Sequence, residues 1–307
     1  MTILLQVFLL VLGFVLLVKG ADWFVDGASG IAVKLHIPQL VIGLTIVAMG
    51  TSAPEAAVSI SAALKGSADI TIGNIVGSNI LNVLIILGLA SAIVPIAVAK
   101  STIWIDTPFM LAITAVLLLL GWDGTIALLD GVILVVLFVA YLGYMLYMAM
   151  HGNDEGEEIK DLKIWQALLY TVVGLILIVW GANVAVDAAT ALARIFGLSE
   201  RFIGLTVVAL GTSLPELATS VTAARKGNAD IAIGNIVGSN LFNILFVVGL
   251  SALIVPVPFA ANFRIDTIVA LVSGVLLLAF AVSKKKLVRW HGIVFLLGYA
   301  AYFLYLI

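Results

Sequence analysis

The chain has 307 residues, 63 % of them hydrophobic and only 10 % charged, with a net charge of −2 and a mean hydropathy of +1.26. Soluble domains carry about 25 % charged and about 45–50 % apolar residues, so a water-soluble globule is excluded, and the near-neutral balance leaves no electrostatic footprint for nucleic acid. The absence of cysteine also excludes disulfides and thiolate metal centres.

In chain order, the first apolar segment, 3–30, follows no positively charged stretch and leads to no small-residue cleavage site. It reads as a membrane span and not as a removable signal. Segments 38–64, 69–96, 103–121 and 126–150 follow, divided by charges and by Gly/Pro turns. The stretch from His151 to Lys163 is hydrophilic and holds Asp154, Glu155, Glu157, Glu158 and Asp161, the composition of a solvated linker, which the loop charges below place on the cytoplasmic side. Five more apolar segments complete the chain: 164–193, 201–224, 230–256, 264–283 and 287–307. The charge-free runs from Ile70 to Ala99 and from Ile231 to Phe263 each exceed the roughly 20 residues that a helix needs to cross a bilayer.

The second half repeats the first. Ile42 to Pro95 aligns without a gap on Ile203 to Pro256, and 35 of the 54 pairs are identical. Gly50-Thr-Ser-Ala-Pro-Glu55 answers to Gly211-Thr-Ser-Leu-Pro-Glu216, and Ile72-Gly-Asn-Ile-Val-Gly-Ser-Asn79 recurs unchanged as Ile233 to Asn240. Weaker matches flank these blocks: Asp26 with Asp187, Ile105-Asp-Thr107 with Ile265-Asp-Thr267, and Ala140-Tyr141 with Ala301-Tyr302. Each half holds five apolar segments, and an odd number forces the second half to enter the membrane from the opposite side. The expected fold is an all-α integral membrane protein of ten transmembrane helices in two inverted five-helix repeats, 1–150 and 164–307, joined by the acidic loop 151–163. Inverted repeats with broken helices near the midplane are common in secondary transporters.

Loop charges give an orientation. With the N-terminus outside, the inner side receives Lys34, Lys100, Lys160, Lys163, Arg225, Lys226, Lys284, Lys285, Lys286 and Arg289. The outer side receives only Lys65, Arg194, Arg201 and Arg264. The positive-inside rule therefore favours N-out.

Of the 17 acidic residues, Glu55 and Glu216 fall in the middle of apolar segments. A charged side chain at the bilayer centre costs about 2.5–3.5 kcal/mol on insertion scales, and such groups mark ion pathways. The ordinary alternative is a protonated glutamate or one paired with a buried base, but no Lys or Arg lies centrally except Lys19, whose counterpart is Trp180. Pro54 and Pro215 lack an N–H, so with Gly50 and Gly211 they break the helix beside each glutamate. The break lets the carbonyls of Ala48, Thr51, Ala209 and Thr212 turn towards an ion, which is tolerated at this depth where backbone lines a cavity. Ser52, Glu55 and Ser59 share one face of the second segment, and Asn74, Ser78 and Asn82 form a stripe along the third. Ser213, Glu216, Ser220, Asn235, Ser239 and Asn243 repeat both patterns. Such Ser and Asn residues often serve helix–helix hydrogen bonds; facing two carboxylates, Ser52, Ser78, Asn82 and their copies Ser213, Ser239 and Asn243 read as ligands. Every donor is an oxygen, which suits calcium, magnesium or sodium, whereas zinc or copper calls for His or Cys. His36, His151 and His291 lie near segment ends and are unrepeated. Two carboxylates neutralise one divalent ion; the same set suits two or more sodium ions, or protons.

The two motif pairs closely resemble the alpha repeats of the cation/calcium exchanger superfamily, most nearly those of prokaryotic sodium/calcium exchangers. The resemblance spans essentially the whole chain. It implies a core of broken helices 2, 3, 7 and 8 with four ion positions, and first and sixth helices that slide across it. It further implies that Glu55 and Glu216 hold calcium with the backbone oxygens of Thr51 and Thr212. Ser52, Ser78, Ser213 and Ser239, with the carbonyls of Ala48 and Ala209, would serve sodium. Some relatives, potassium-dependent exchangers among them, carry Asp where this chain has Asn243, which speaks against potassium co-transport; the proton/calcium branch has an Asn-Ala-Val-Glu type block on its third span that is missing here, so sodium and not the proton is the expected driving ion. The implied location is a prokaryotic inner membrane. The expected partners are calcium and sodium ions and the lipid bilayer, with no cofactor and no obligatory protein partner. A calcium/proton antiporter using the same glutamates is the first alternative and a passive cation channel the second. A membrane scaffold gives no reason for two midplane glutamates, and the chain shows no nucleophile–base pair or phosphate-binding loop that would make an enzyme.

Overall fold

Glycines, prolines and charges delimit the helices, and the computed structural model describes them over residues 3–151, 162–197 and 209–306. The acidic side chains Asp154, Glu155, Glu157, Glu158 and Asp161, with Lys160 and Arg201, lie outside the described residues, as does the start of the segment expected at 201–224. The first helix, Ile3–Leu35, runs past its expected end at 30 because nothing before Pro38 breaks it. It ends when His36 turns to φ 56° and the N–H of Ile37 reaches back to the Ala32 carbonyl at 2.9 Å, a Schellman close. The same close ends Ala53–Leu64 at Gly66 (φ 78°) and Leu214–Arg225 at Gly227 (φ 86°). Glycine takes these left-handed positions without strain, and Lys65-Gly66 and Lys226-Gly227 are equivalent sites of the repeat.

Seven helices among the described residues are long and apolar enough to cross a membrane: Ile3–Leu35, Ile70–Ile93, Thr102–Asp123, Leu128–His151, Ile164–Ile195, Ala229–Ile254 and Ala261–Lys284. An eighth candidate is the pair Gln39–Thr51 and Ala53–Leu64, bent by 50° at its break. Shorter helices are Ala209–Thr212, Leu214–Arg225 and Arg289–Leu306. The apolar windows of Ile70–Ile93 and Ala229–Ile254 are 78 % and 83 % buried, against 22 % for Ile3–Leu35 and for Leu128–His151. The two Gly-Asn-Ile-Val-Gly-Ser-Asn helices therefore form the centre, and the others face outward with apolar side chains.

Ile3–Leu35 and Ile164–Ile195 lie antiparallel along a seam of small residues. Gly13 abuts the backbone of Gly181 and Ala185, Gly20 that of Gly174 and Ile178, and Gly27 that of Ala167 and Thr171; a Cβ on Gly27 would sit 2.5 Å from the Thr171 nitrogen. In lipid there is little hydrophobic drive between helices, so such backbone-to-backbone approach carries the packing. Lys226 Nζ ties the end of Leu214–Arg225 to this pair, donating to Asp26 Oδ1 at 2.7 Å and to the Asp22 carbonyl at 2.8 Å. Lys19 and Trp180 both point outward.

The described residues are nearly all helical, as expected, apart from four two-residue strands among them. Ile96–Ala97 pairs antiparallel with Lys286–Leu287, and Thr125–Ile126 with Val257–Pro258. Val94 and Val255 precede prolines and leave their helices extended, at φ −136°, ψ 131° and φ −155°, ψ 145°, as a residue before proline must. Each ribbon joins one half of the chain to the other, and the two ribbons fall at equivalent positions of the repeat.

Candidate metal-ion site

The break expected at Pro54 falls at Ser52, which takes φ −82° and ψ 7° between Ala48–Thr51 and Ala53–Leu64. Ser213 repeats it at φ −89° and ψ 4° before Leu214–Arg225. The proline occupies the first turn of the new helix, where its missing N–H costs nothing. Glu55 and Glu216 sit in those same first turns, so the positive end of each helix dipole faces a carboxylate. Both glutamates are 1 % exposed.

The two breaks hold each other's carboxylates. Ser52 Oγ donates to Glu216 Oε1 at 2.8 Å, and Ser213 Oγ donates to Glu55 Oε1 at 3.4 Å. Each carboxylate keeps its second oxygen, Glu55 Oε2 and Glu216 Oε2, buried and without a hydrogen-bond partner. An orphaned buried acceptor is costly, and a matched pair from the two halves of a repeat is the arrangement that a cation would satisfy.

Two more buried acceptors lie on elements that pack against these two helices from the other half. Asn82 and Asn243 begin the π-helical turns Asn82–Leu87 and Asn243–Val248, a widened helical form frequent at functional sites. Their Nδ2 groups donate across the repeat, Asn82 to Asn240 Oδ1 at 2.9 Å and Asn243 to Asn79 Oδ1 at 3.1 Å. Their own Oδ1 atoms remain buried and unpartnered. Among the described residues no three His, Cys, Asp or Glu side chains gather, so any further ligands come from amides, hydroxyls or carbonyls. That donor chemistry fits calcium or sodium.

The remaining expected residues divide into two groups. Ser239 Oγ reaches the Ala48 carbonyl at 3.4 Å, bringing one expected hydroxyl and one expected carbonyl together across the two halves. That carbonyl also accepts the Ser52 N–H at 3.0 Å, so the break does not free it outright. Thr51 Oγ1 bonds to Val47 and Ala48 carbonyls and to Asn235 Oδ1 at 3.0 Å. Ser78 is buried on Asp69–Leu81, and Ala209 opens the helix that ends at Thr212. Asn74 and Asn235 leave the expected stripe. Their Nδ2 groups donate to Ser59 and Ser220 Oγ at 2.9 Å in both halves, and to the carbonyls of Glu55 and Glu216 at 3.3 and 3.5 Å. One serine–asparagine pair in each half thus ties the broken helix to its neighbour, and Asn235 also accepts the Thr51 hydroxyl from the other half.

Sequence reading missed Asn79 and Asn240, which lie off the expected stripe. It also missed a second pair of acids. Asp266 Oδ1 accepts the Tyr302 hydroxyl at 2.9 Å, whereas the equivalent Tyr141 donates instead to the Leu44 carbonyl at 2.9 Å and leaves Asp106 Oδ2 buried without a partner. The weak matches Asp106/Asp266 and Tyr141/Tyr302 in the repeat were the available signal.

Known proteins share this architecture. A sequence profile described as Sodium/calcium exchanger protein matches residues 5–147 and again 166–307. The chain is 39 % identical over 308 residues to the putative antiporter CaxA of Alkalimonas amylolytica, covering 96 % of each sequence. It is 33 % identical over 345 residues to the sodium/calcium exchanger MaX1 of Methanosarcina acetivorans, again covering 96 % of each. Among solved structures, the sodium-calcium exchanger NCX_Mj soaked with zero Na+ and Ca2+ superposes with a TM-score of 0.88 at 34 % identity over 100 % of both chains.

Proposed function

The chain belongs to the sodium/calcium exchanger protein family, and we propose that it is a secondary active antiporter that extrudes Ca2+ in exchange for Na+ by alternating access. The observation that carries this reading is the set of four buried, unpartnered oxygens, Glu55 Oε2, Glu216 Oε2, Asn82 Oδ1 and Asn243 Oδ1. Two come from each half, and two carry charge. A total of −2 balances one Ca2+ or two Na+, so the two ions compete for one site, and competition for a single site is what couples exchange. Glu55 and Glu216 hold Ca2+ with the Thr51 and Thr212 oxygens, while Ser52, Ser78, Ser213, Ser239 and the Ala48 and Ala209 carbonyls complete the sodium positions. The reach of Ser239 to the Ala48 carbonyl supports that grouping.

In this reading the chain makes ten spans, two inverted repeats at 1–150 and 164–307, with the N-terminus outside a prokaryotic inner membrane. The ribbons support it. Ten spans would put the turns at Ile96–Ala97 and Lys286–Leu287 on the inner side and those at Thr125–Ile126 and Val257–Pro258 on the outer side, and those are the segments that pair. The test is uptake of labelled Ca2+ by proteoliposomes loaded with Na+ and diluted into Na+-free medium at equal pH. Uptake that requires the sodium gradient is the expected result. Uptake that follows an imposed pH gradient and ignores sodium would instead make this a calcium/proton antiporter.

A further inference from the structure

Four asparagines cross at the centre of the molecule, and they do unequal work. Asn82 and Asn243 each leave an oxygen unpartnered. Asn79 and Asn240, three residues earlier on the same helices, leave none. Asn79 Nδ2 donates to the Asn240 carbonyl at 3.2 Å, and Asn240 Nδ2 donates to the Asn79 carbonyl at 3.4 Å and towards Met110 Sδ at 3.5 Å. Their Oδ1 atoms are taken by Asn243 and Asn82 at 3.1 and 2.9 Å. All four residues are at most 4 % exposed.

An asparagine amide has a donor end and an acceptor end of nearly the same shape, and rotation about its last torsion exchanges them. A cation requires the acceptor end. We propose that Asn79 and Asn240 are positioning residues that fix which end of Asn243 and Asn82 faces the ion. This rests on the reading of Asn82 and Asn243 as ligands. By engaging the amide nitrogen, each anchor leaves the oxygen turned away from itself. Without the anchor, nothing fixes the amide, and its NH2 end can turn to where the oxygen stood. That would put a hydrogen-bond donor where a cation must bind.

The lock is crosswise. Asn240, in the second half, orients Asn82 in the first, and Asn79 in the first half orients Asn243 in the second. Each half of the site is therefore set by the other half, so two copies of one motif make a site that neither copy makes alone.

A double-mutant cycle on the full-length protein in proteoliposomes tests this through the KM for Ca2+ in sodium-driven uptake. Asn82→Ala and Asn240→Ala are each expected to raise KM roughly tenfold, the value of one good hydrogen bond. Combined, they should raise it no further than the larger single effect, because Asn240 has nothing left to orient. Asn79→Ala with Asn82→Ala, which removes the anchor of one ligand and the other ligand itself, should instead raise it beyond either single effect. A multiplicative Asn82/Asn240 pair, or an unchanged KM in Asn240→Ala, overturns the proposal. A purely structural role would lower the reconstituted yield and maximal rate without producing this pattern of coupling. If Asn240→Ala does not fold, the mirror cycle of Asn79→Ala with Asn243→Ala carries the same test. Ca2+-dependent thermal shifts of the detergent-solubilised protein extend it to variants too slow to assay. Glu55→Gln separates the two ideas. If it abolishes transport while the asparagine variants keep a normal KM, only the positioning role falls; if it transports normally, the site itself is wrong.

Discussion

Replacing Glu55 by Gln removes one of two buried carboxyl groups while keeping the side chain's length and one oxygen. In the wild-type protein Glu55 Oε1 is held by Ser213 at 3.4 Å and Oε2 has no partner. The variant therefore changes the free position from a charged acceptor to a neutral amide. With Ca2+ bound, the −2 site is neutral; with Gln at 55, it is left at +1 in surroundings where the carboxylates are 1 % exposed. Breaking a buried ion pair by removing one partner costs about 3–5 kcal/mol, so Ca2+ binding should weaken by roughly 100- to 5,000-fold. A single Na+ still balances the remaining charge, so sodium binding should suffer less than calcium binding, and the variant should lose its preference for the divalent ion. Sodium-driven uptake of labelled Ca2+ gives the transport rate, and Ca2+- and Na+-dependent thermal shifts give the two affinities separately. Glu216→Gln should behave alike, because its unpartnered oxygen is equivalent. Uptake by either variant within about threefold of wild type would refute the assignment of the carboxylates as the divalent-ion ligands.

Other expectations follow from the packing. Gly27→Ala places a Cβ against the Thr171 backbone and should lower both thermal stability and transport, by about 1–3 kcal/mol in stability as overpacking does; Gly143→Ala, at an exposed position with open space around it, should change neither. Equal effects of the two alanines in a melting assay would mean that the seam is not close-packed. Lys226→Met breaks the partly exposed pair with Asp26 and should cost no more than about 1 kcal/mol, less at high salt; a larger, salt-insensitive loss would show a role beyond that pair. Tyr141→Phe removes the hydrogen bond to the Leu44 carbonyl and should cost about 1 kcal/mol, measured as a lower melting temperature in detergent, with no gain if Asp106→Asn is added. For orientation, the absence of cysteine makes labelling simple. In intact cells an impermeant maleimide should modify Asp123→Cys and spare Lys286→Cys, and the reverse pattern would invert the topology.

Much of this was legible without coordinates because it rests on short-range chemistry. An apolar chain, a repeat that is identical at 35 of 54 positions, proline beside glycine, and one deep glutamate per half define membrane segments, broken helices and a pair of carboxylates wherever they occur in sequence. The Lys-Gly pairs at 65–66 and 226–227 likewise announce their helix ends, since only glycine takes the left-handed position freely. Partner choice was another matter. Sequence placed Ser52 on the face of Glu55, three residues away, yet its hydroxyl bonds to Glu216 in the other half. Asn74 and Asn82 share a helical stripe, yet one ties neighbouring helices together and the other leaves an oxygen free at the centre. Periodicity assigns a side chain to a face of its own helix; it does not say which helix is opposite, and here the opposite helix belongs to the other repeat. That is why the crossed serines, the asparagine anchors and the ribbons that join the halves came only from the tertiary structure.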